Sequence, residues 1–290
     1  MNSKLETILL DLITRTSTTL PEDVLTALKE GEKQETPNSP ASQILANILK
    51  NSTLAQKTRR PICQDTGTLT FHITANKNFP KEKFIAAAHA AIIEASKTGV
   101  LRQNCIDTLS DKNTGNNIGI GSPMFTWHPL PENKPETTVT LILKGGGSEN
   151  ASSQYSLPNE KLHAGRDLDG VRKCVLDALW QIQGSGCAPG ILGIAIGGDR
   201  ATGYAESKLQ LLRKIGERSP LPELAELEKR LLTEGNQLGI GPMGLGGKTT
   251  LLEVFIGHRS RLPACYFVSI SYMCWCCRRQ TITLTNTVEF

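Results

Sequence analysis

The chain has 290 residues, of which 39% are hydrophobic and 21% charged, the make-up of a globular protein that folds as one large domain or two smaller ones. Its formal charge of +4 is spread along the sequence, and the longest basic cluster, Lys57-Thr58-Arg59-Arg60, is too short to argue for a nucleic-acid groove. Lys4, Glu6, Asp11 and Arg15 break up residues 1–20, so no signal-peptide core is expected there. No later run approaches the roughly 18 apolar residues of a membrane span, and a cytoplasmic location is the expectation.

Apolar residues at helical spacing in 5–13, 41–54 and 84–93 predict helices and make the first part of the chain mainly helical. Pro21-Glu22-Asp23 after Thr18 and Thr19 reads as a capped first turn, and the polar stretch 31–40 as a loop between two helices. Residues 68–75 alternate as a strand, which puts 61–67 in the loop leading into it. From residue 137 the pattern changes to strand, glycine turn, helix. A strand at 138–143 ends in Lys144-Gly145-Gly146-Gly147, and one at 190–196 ends in Gly197-Gly198. Helices are expected at 170–183, 206–215 and 221–238, and further strands at 250–256, 265–272 and 281–285. The predicted class is mixed α/β (α+β). One domain over 1–290 has a mainly helical part at 1–136, then a mixed sheet with flanking helices at 137–290, with no fixed-period repeat.

Two nucleotide-binding patterns fail on context. Gly239-Ile240-Gly241-Pro242-Met243-Gly244 fits GxGxxG, but a charged predicted helix precedes it where a dinucleotide fold needs a strand. Gly247-Lys248-Thr249 resembles the end of a phosphate loop, yet Pro242 stands where its first glycine belongs and has no amide hydrogen to offer a phosphate.

The eight cysteines are Cys63, Cys105, Cys174, Cys187, Cys265, Cys274, Cys276 and Cys277. A reducing cytosol keeps such thiols free for metal ligation, catalysis or packing. Cys274-Trp275-Cys276-Cys277 lacks the second half-site that four-coordinate zinc wants, and the five histidines show no close ligand spacing, which argues against a zinc hydrolase. Cys63, Cys187 and Cys274 stand apart from the rest. Cys63 sits in Pro61-Ile62-Cys63-Gln64-Asp65-Thr66-Gly67, and Cys187 in the small-residue stretch 184–190. Cys274 closes a predicted strand ahead of Arg278 and Arg279. Three thiolates from three separate segments suit a cubane in which one iron lacks a protein ligand and acts as a Lewis acid. From spacing alone the plainer alternative, cysteines that merely pack as small hydrophobes, stays open.

The segments Cys63-Gln64-Asp65-Thr66-Gly67, Lys144-Gly145-Gly146-Gly147-Ser148-Glu149-Asn150, Gly239-Ile240-Gly241-Pro242 and Cys274 ahead of Arg278-Arg279 carry a likeness. In this order, over most of the chain, they resemble the iron–sulfur hydro-lyases comprising class I fumarate hydratase and L-tartrate dehydratase. The likeness is to the alpha subunit of the two-subunit forms, or the N-terminal domain of the single-chain forms. It implies a [4Fe–4S] cluster on Cys63, Cys187 and Cys274, with one iron lacking a protein ligand and the other five cysteines structural. It also implies that Asp65 is the general acid that helps the hydroxyl leave as water. Arg102 matches an arginine that pairs with a substrate carboxylate, for which a guanidinium fork is well shaped. Gln64 and the amides of Gly145, Gly146 and Gly147 match further substrate contacts. Read from the residues alone, Asp65 serves equally well as a turn cap, Arg102 as a surface charge and the triple glycine as a strand-end turn.

Two departures matter. The family commonly has a histidine twelve residues before the third cysteine, where this chain has Leu262; His258 is either a substitute from a shifted loop or unrelated. The family's general base, a threonine, lies on a separate β domain that no segment here resembles. The resemblance therefore implies a beta subunit, in a heterotetramer of two alpha and two beta chains, and an alpha chain inactive alone. The expected reaction is reversible hydration of fumarate to L-malate, since Lys144 with Ser148-Glu149 looks more like the fumarase version of that motif. The alternatives are L-tartrate dehydration to oxaloacetate and a non-catalytic iron–sulfur sensor, which would have no need of Asp65 and Arg102 together.

Overall fold

A computed structural model describes residues 3–131 and 136–284. In chain order the helices are α1 (Lys4–Thr18), α2 (Glu22–Gln34), α3 (Pro40–Thr58), α4 (Lys81–Lys97), α5 (Gly146–Asn150), α6 (Leu168–Ile182), α7 (Arg200–Gln210) and α8 (Pro222–Gln237). The strands are β1 (Thr68–Ala75), β2 (Ile106–Asp107), β3 (Lys112–Asn113), β4 (Met124–Pro129), β5 (Thr137–Lys144), β6 (Ser153–Ser156), β7 (Gly190–Gly197), β8 (Leu251–Arg259), β9 (Phe267–Met273) and β10 (Arg278–Leu284). The class is mixed α/β, as expected. Among the described residues no helix is long and apolar enough to cross a membrane.

Two compact units share the chain. One takes the residues up to Pro21, Lys50–Gly146 and those from Cys276 on; the other takes Glu22–Leu49 and Gly147–Trp275. The change of pattern at residue 137 does not coincide with these units, and the part before it holds β1 and β4 as well as helices. The reason is long-range pairing: β5 lies between β1 and β10 in a sheet of order β10-β5-β1-β4. Antiparallel register sets Leu69, Phe71 and Ile73 opposite Leu143, Leu141 and Val139. The two-residue strand period sends these to one face, where Leu5, Leu9 and Leu12 of α1 and Phe84, Ala88 and Ile92 of α4 bury them. Each of these leucine, isoleucine, valine and phenylalanine side chains is worth about 1.5–3 kcal/mol on full burial. Ser3 and Glu6 start α1 with a reciprocal capping box.

In the second unit the sheet runs β6-β9-β7-β8, with β7 parallel to β8 and antiparallel to β9. Every residue of β7 is buried, as its unbroken apolar run Gly190–Gly197 demands of a strand covered on both faces. Leu192, Ile194 and Ile196 face a core shared with α6 and α8. Gly193 points the other way, where a Cβ would lie 2.1 Å from the Ser207 carbonyl oxygen of α7, so that helix sits against bare backbone.

Several element boundaries differ from the sequence expectation. The stretch 31–40 is not all loop, because α2 continues to Gln34. Gly31 is no breaker there: a Cβ would come 2.9 Å from Thr249 Cγ2. The Glu35 carboxylate then accepts from the backbone amides of Lys248 and Thr249. The helix expected at 206–215 instead runs from Arg200, started by a capping box between Asp199 and Thr202, and stops at Gln210. The last strand begins earlier, at Arg278, and its expected end at Thr285 lies outside the described residues.

Candidate active site

In the first unit, the loop before β1 is pinned at Ile62, whose amide donates to the Ser17 carbonyl (3.1 Å) and whose carbonyl accepts from Asn51 Nδ2 (2.9 Å). Cys63 and Asp65 follow, both half-buried, with Gln64 exposed between them. The Asp65 carboxylate is fixed at both oxygens. Oδ1 accepts from the Gly67 amide at 2.9 Å and Oδ2 from the Gly146 amide at 2.7 Å. The glycines are what make this approach possible. A Cβ on Gly145 would lie 2.7 Å from Asp65 Oδ2, and Gly67, at φ +78°, has the Lys144 carbonyl carbon 2.7 Å from where its Cβ would be. A carboxyl group has more hydrogen-bonding sites than these two bonds use, so they orient Asp65 and leave capacity over, for accepting or, in the protonated form, for donating. Gly146, expected as a substrate contact, gives its amide to Asp65.

Arg102 lies across the same cleft, which encloses about 710 Å³ and is lined by Gln64, Asp65, Arg102, Gln103 and Asn104 among others. Thr66 joins the two sides. It is 1% exposed, and its hydroxyl accepts from the Arg102 amide at 3.1 Å. With the Asn104 amide oxygen turned toward it, the same hydroxyl donates there at 3.0 Å, and the Thr66 amide donates at 3.2 Å. Among the described residues the Arg102 guanidinium has no hydrogen bond or ion pair, so its five donors face the cleft unused. Three positions picked from the sequence, Gln64, Asp65 and Arg102, thus meet in one cavity. Thr66 was passed over, although it lies inside the same motif.

In the second unit, Cys187 ends the 3-10 turn Gln183–Gly186 in a left-handed conformation (φ 54°), its carbonyl accepting from the Trp275 amide at 3.3 Å. Cys274, the residue before Trp275, donates its amide to Ser148 Oγ at 3.1 Å. Tyr272 sits between these segments. Cβ atoms on Gly186 and Gly190 would come 2.5 and 2.4 Å from its ring. Burial, then the charge of Cys274 and of Cys187, push its phenol well above the usual range, so both sulfurs lie within electrostatic reach of one buried ring. The structure therefore brings Cys187 and Cys274 together, while Cys63 belongs to the first unit. None of the eight cysteines is joined in a disulfide; Cys276 and Cys277 are buried, whereas Cys63, Cys187 and Cys274 are only partly so.

His258 does not take the place of the missing histidine beside these thiols. It pairs with Ile196 at the far end of β7, five residues along from Ile191, which pairs with Met273 next to Cys274. At about 3.3 Å per residue that is some 16 Å of strand. Leu262 follows in the same distal loop and is 70% exposed. The nucleotide patterns also stay empty of support: α8 precedes Gly239, and Pro242–Gly244 is a 3-10 turn running on toward β8. Among the described residues no group of three or more His, Cys, Asp or Glu side chains stands together in a way that could hold a metal ion.

The family model for fumarate hydratase (fumerase) matches residues 6–283. The chain belongs to the class I fumarate hydratase and L-tartrate dehydratase family. It is 44% identical over 282 residues to a protein of Geobacillus stearothermophilus provisionally named as a class I fumarate hydratase, covering 96% of this chain and 54% of that one. The chain thus spans about half the length of that relative. It is 34% identical to a protein of Methanocaldococcus jannaschii provisionally named as an L(+)-tartrate dehydratase subunit alpha, covering 95% of this chain and 96% of that one. With the L(+)-tartrate dehydratase subunit alpha of Escherichia coli K12 it shares 32% identity over 289 residues, 99% of this chain and 93% of the relative.

Proposed function

We propose that this chain is the alpha subunit of a cytoplasmic hydro-lyase that reversibly hydrates fumarate to L-malate together with a beta subunit. The observation that supports it most is the meeting of Gln64, Asp65 and Arg102 in one cleft, with Asp65 oriented by two amides and the Arg102 guanidinium unpaired among the described residues. A guanidinium fork suits a dicarboxylate, and an oriented carboxyl near it suits proton transfer at the adjacent carbon.

The donor chemistry fits an iron–sulfur cluster. Cys187 and Cys274 are partly exposed cysteines outside any disulfide that share the surroundings of Tyr272, and Cys63 is another, next to Gln64 and Asp65. A cubane suits such a set better than a single ion does, because each thiolate binds a different iron. Arg278, four residues after Cys274, is 1% exposed, and its Nε and Nη1 have no partner among the described residues, so donors for an anionic group are present in the chain. Cys63, Cys187 and Cys274 would hold a [4Fe–4S] cluster with one iron lacking a protein ligand, which supplies Lewis acidity toward an oxygen substituent.

In the dehydration direction, Arg102 and Gln64 hold the substrate's carboxylate end. Asp65 passes a proton to the departing hydroxyl, which leaves as water as its C–O bond breaks. A base from the beta subunit takes the proton from the neighbouring carbon, whose C–H electrons become the new C=C bond. The chain alone is inactive for want of that base, and the working assembly is two alpha and two beta chains. The relative of highest identity among those compared carries the fumarate hydratase name, which favours fumarate; the alpha-subunit lengths match those named for tartrate, which keeps L-tartrate as the second reading. Co-producing the chain with its beta partner without oxygen and assaying L-malate and L-tartrate separates them. Malate turnover is expected, and turnover of tartrate alone overturns the fumarate assignment.

A further inference from the structure

Residues 102–105 lie in neither helix nor strand, yet they carry Arg102 on the wall of the cleft. Their backbone is held by side chains from a segment no motif pointed to, Asn113-Thr114-Gly115-Asn116-Asn117. Asn117 is 3% exposed and makes three bonds in this loop. Its Oδ1 accepts from the Asn104 amide at 2.8 Å, and its Nδ2 donates to the Arg102 carbonyl and to Ser96 Oγ, both at 2.8 Å. Asn113 Nδ2 donates to the Gln103 carbonyl at 2.6 Å, and the Thr114 amide donates to the Cys105 carbonyl at 2.9 Å. From the other side Thr66, next to Asp65, accepts from the Arg102 amide at 3.1 Å. Asn117 is itself at φ 62°, a conformation asparagine tolerates better than most residues.

We propose that Asn117 is a positioning residue: it fixes the backbone of Arg102 relative to Thr66 and Asp65, so that the guanidinium meets a substrate carboxylate at a set distance from the acid. This rests on the reading of Arg102 given above. The chemistry is specific to an amide, because the site needs one acceptor for Asn104 and two donors for Arg102 and Ser96. Aspartate, of the same shape, keeps the acceptor, loses both donors and sets an anion against the Arg102 carbonyl. A loop held mainly by side chains has no helix or strand to restore its geometry once the clasp opens.

The test uses the chain reconstituted with its beta partner under anaerobic conditions. Asn117→Asp is expected to raise KM for fumarate and L-malate by about tenfold or more and to change kcat by less than about threefold, with iron content unchanged. In an Arg102→Gln background the same substitution is expected to add less than about twofold to KM, since no guanidinium remains to be placed. A full additive loss in that background, or a fall in kcat with KM unmoved, overturns the proposal. Arg102→Gln alone tells the two readings apart. If it leaves KM unchanged, Arg102 is not the carboxylate ligand and both readings fall; if it raises KM while Asn117→Asp does not, only the positioning role falls. Should Asn117→Asp not fold, the exposed Asn113→Ala carries the same test, with a KM rise of about threefold expected and an unchanged KM contradicting it.

Discussion

The carboxylates of the two units use the same device to different ends. Asp65 in the first unit and Glu228 in the second each accept two backbone amides: Gly67 and Gly146 for the one, Ser219 and Ile256 for the other. Glu228 is 0% exposed and takes in addition Arg213 Nη1 at 2.7 Å, and Glu253 nearby is likewise closed off by Arg218 at 2.8 Å. Asp65 has no ion pair among the described residues and opens onto a cleft. Amide bonds alone therefore do not mark a working carboxylate. What separates the two is whether the remaining lone pairs are closed by an arginine or left facing a cavity where another arginine waits.

The predictions run from the largest effect down. Asp65→Asn in the alpha–beta enzyme should lower kcat by about 10²–10⁴-fold, as loss of a positioned acid does. A kcat within about threefold of the parent would place Asp65 with the structural carboxylates. Glu228→Ala should do the converse. It takes the carboxylate away from Arg213 and from two amides inside the second unit and should cost about 3–5 kcal/mol in denaturant unfolding; a loss under about 1 kcal/mol would remove the contrast.

A smaller effect comes from the first unit's sheet. His72 and His128 meet at 3.2 Å between Nδ1 and Nε2 with ring planes 14° apart, and their centroids are 5.5 Å apart, so the rings lie edge to edge in one hydrogen bond. Burial, then the charge of His128, hold His72 down at about 4, against 6.5 for the unfolded chain. Between those values the unfolded chain binds the proton and the folded chain does not. The neutral pair's contribution is thus complete above the unfolded value and is lost as pH falls toward the folded one, by up to about 3 kcal/mol. Melting curves across that range should show the slope, and His72→Gln should flatten it. Smallest is Ser148→Ala, which leaves the Cys274 amide without its partner and should cost about 1 kcal/mol. Unchanged stability would mean that water serves that amide as well.

Local order was readable from the sequence wherever periodicity or capping is local. The alternation of β1, the apolar run of β7 and the helical stripes of α1 and α4 each came from neighbours in the chain. The interleaving of the units did not, because the pairing of β10 with β5 joins residues far apart in sequence and leaves no periodic trace. The start of α7 was missed although Asp199 and Thr202 carry a cap signal, since the glycine run before them drew the boundary later. At the site, Cys63, Gln64, Asp65 and Arg102 were legible through motifs, whereas Asn117 was not. Its work is done by hydrogen bonds to two backbone groups and a serine hydroxyl thirteen to twenty-one residues away, and an asparagine before no helix and in no repeat reads as an ordinary turn residue. His258 is the opposite case: nearness in sequence to Leu262 left two alternatives open, and the strand register sets it far from Met273 and Cys274.

The central claim is that Cys63, Cys187 and Cys274 hold one cluster for this chemistry, and anaerobic iron and sulfide analysis with electron paramagnetic resonance tests it most directly. The account predicts about four irons and four sulfides per reconstituted alpha chain, a spectrum perturbed by L-malate when the beta subunit is present, and loss of the cluster in each of Cys63→Ala, Cys187→Ala and Cys274→Ala. A full complement of iron and sulfide retained in any of the three variants would contradict it.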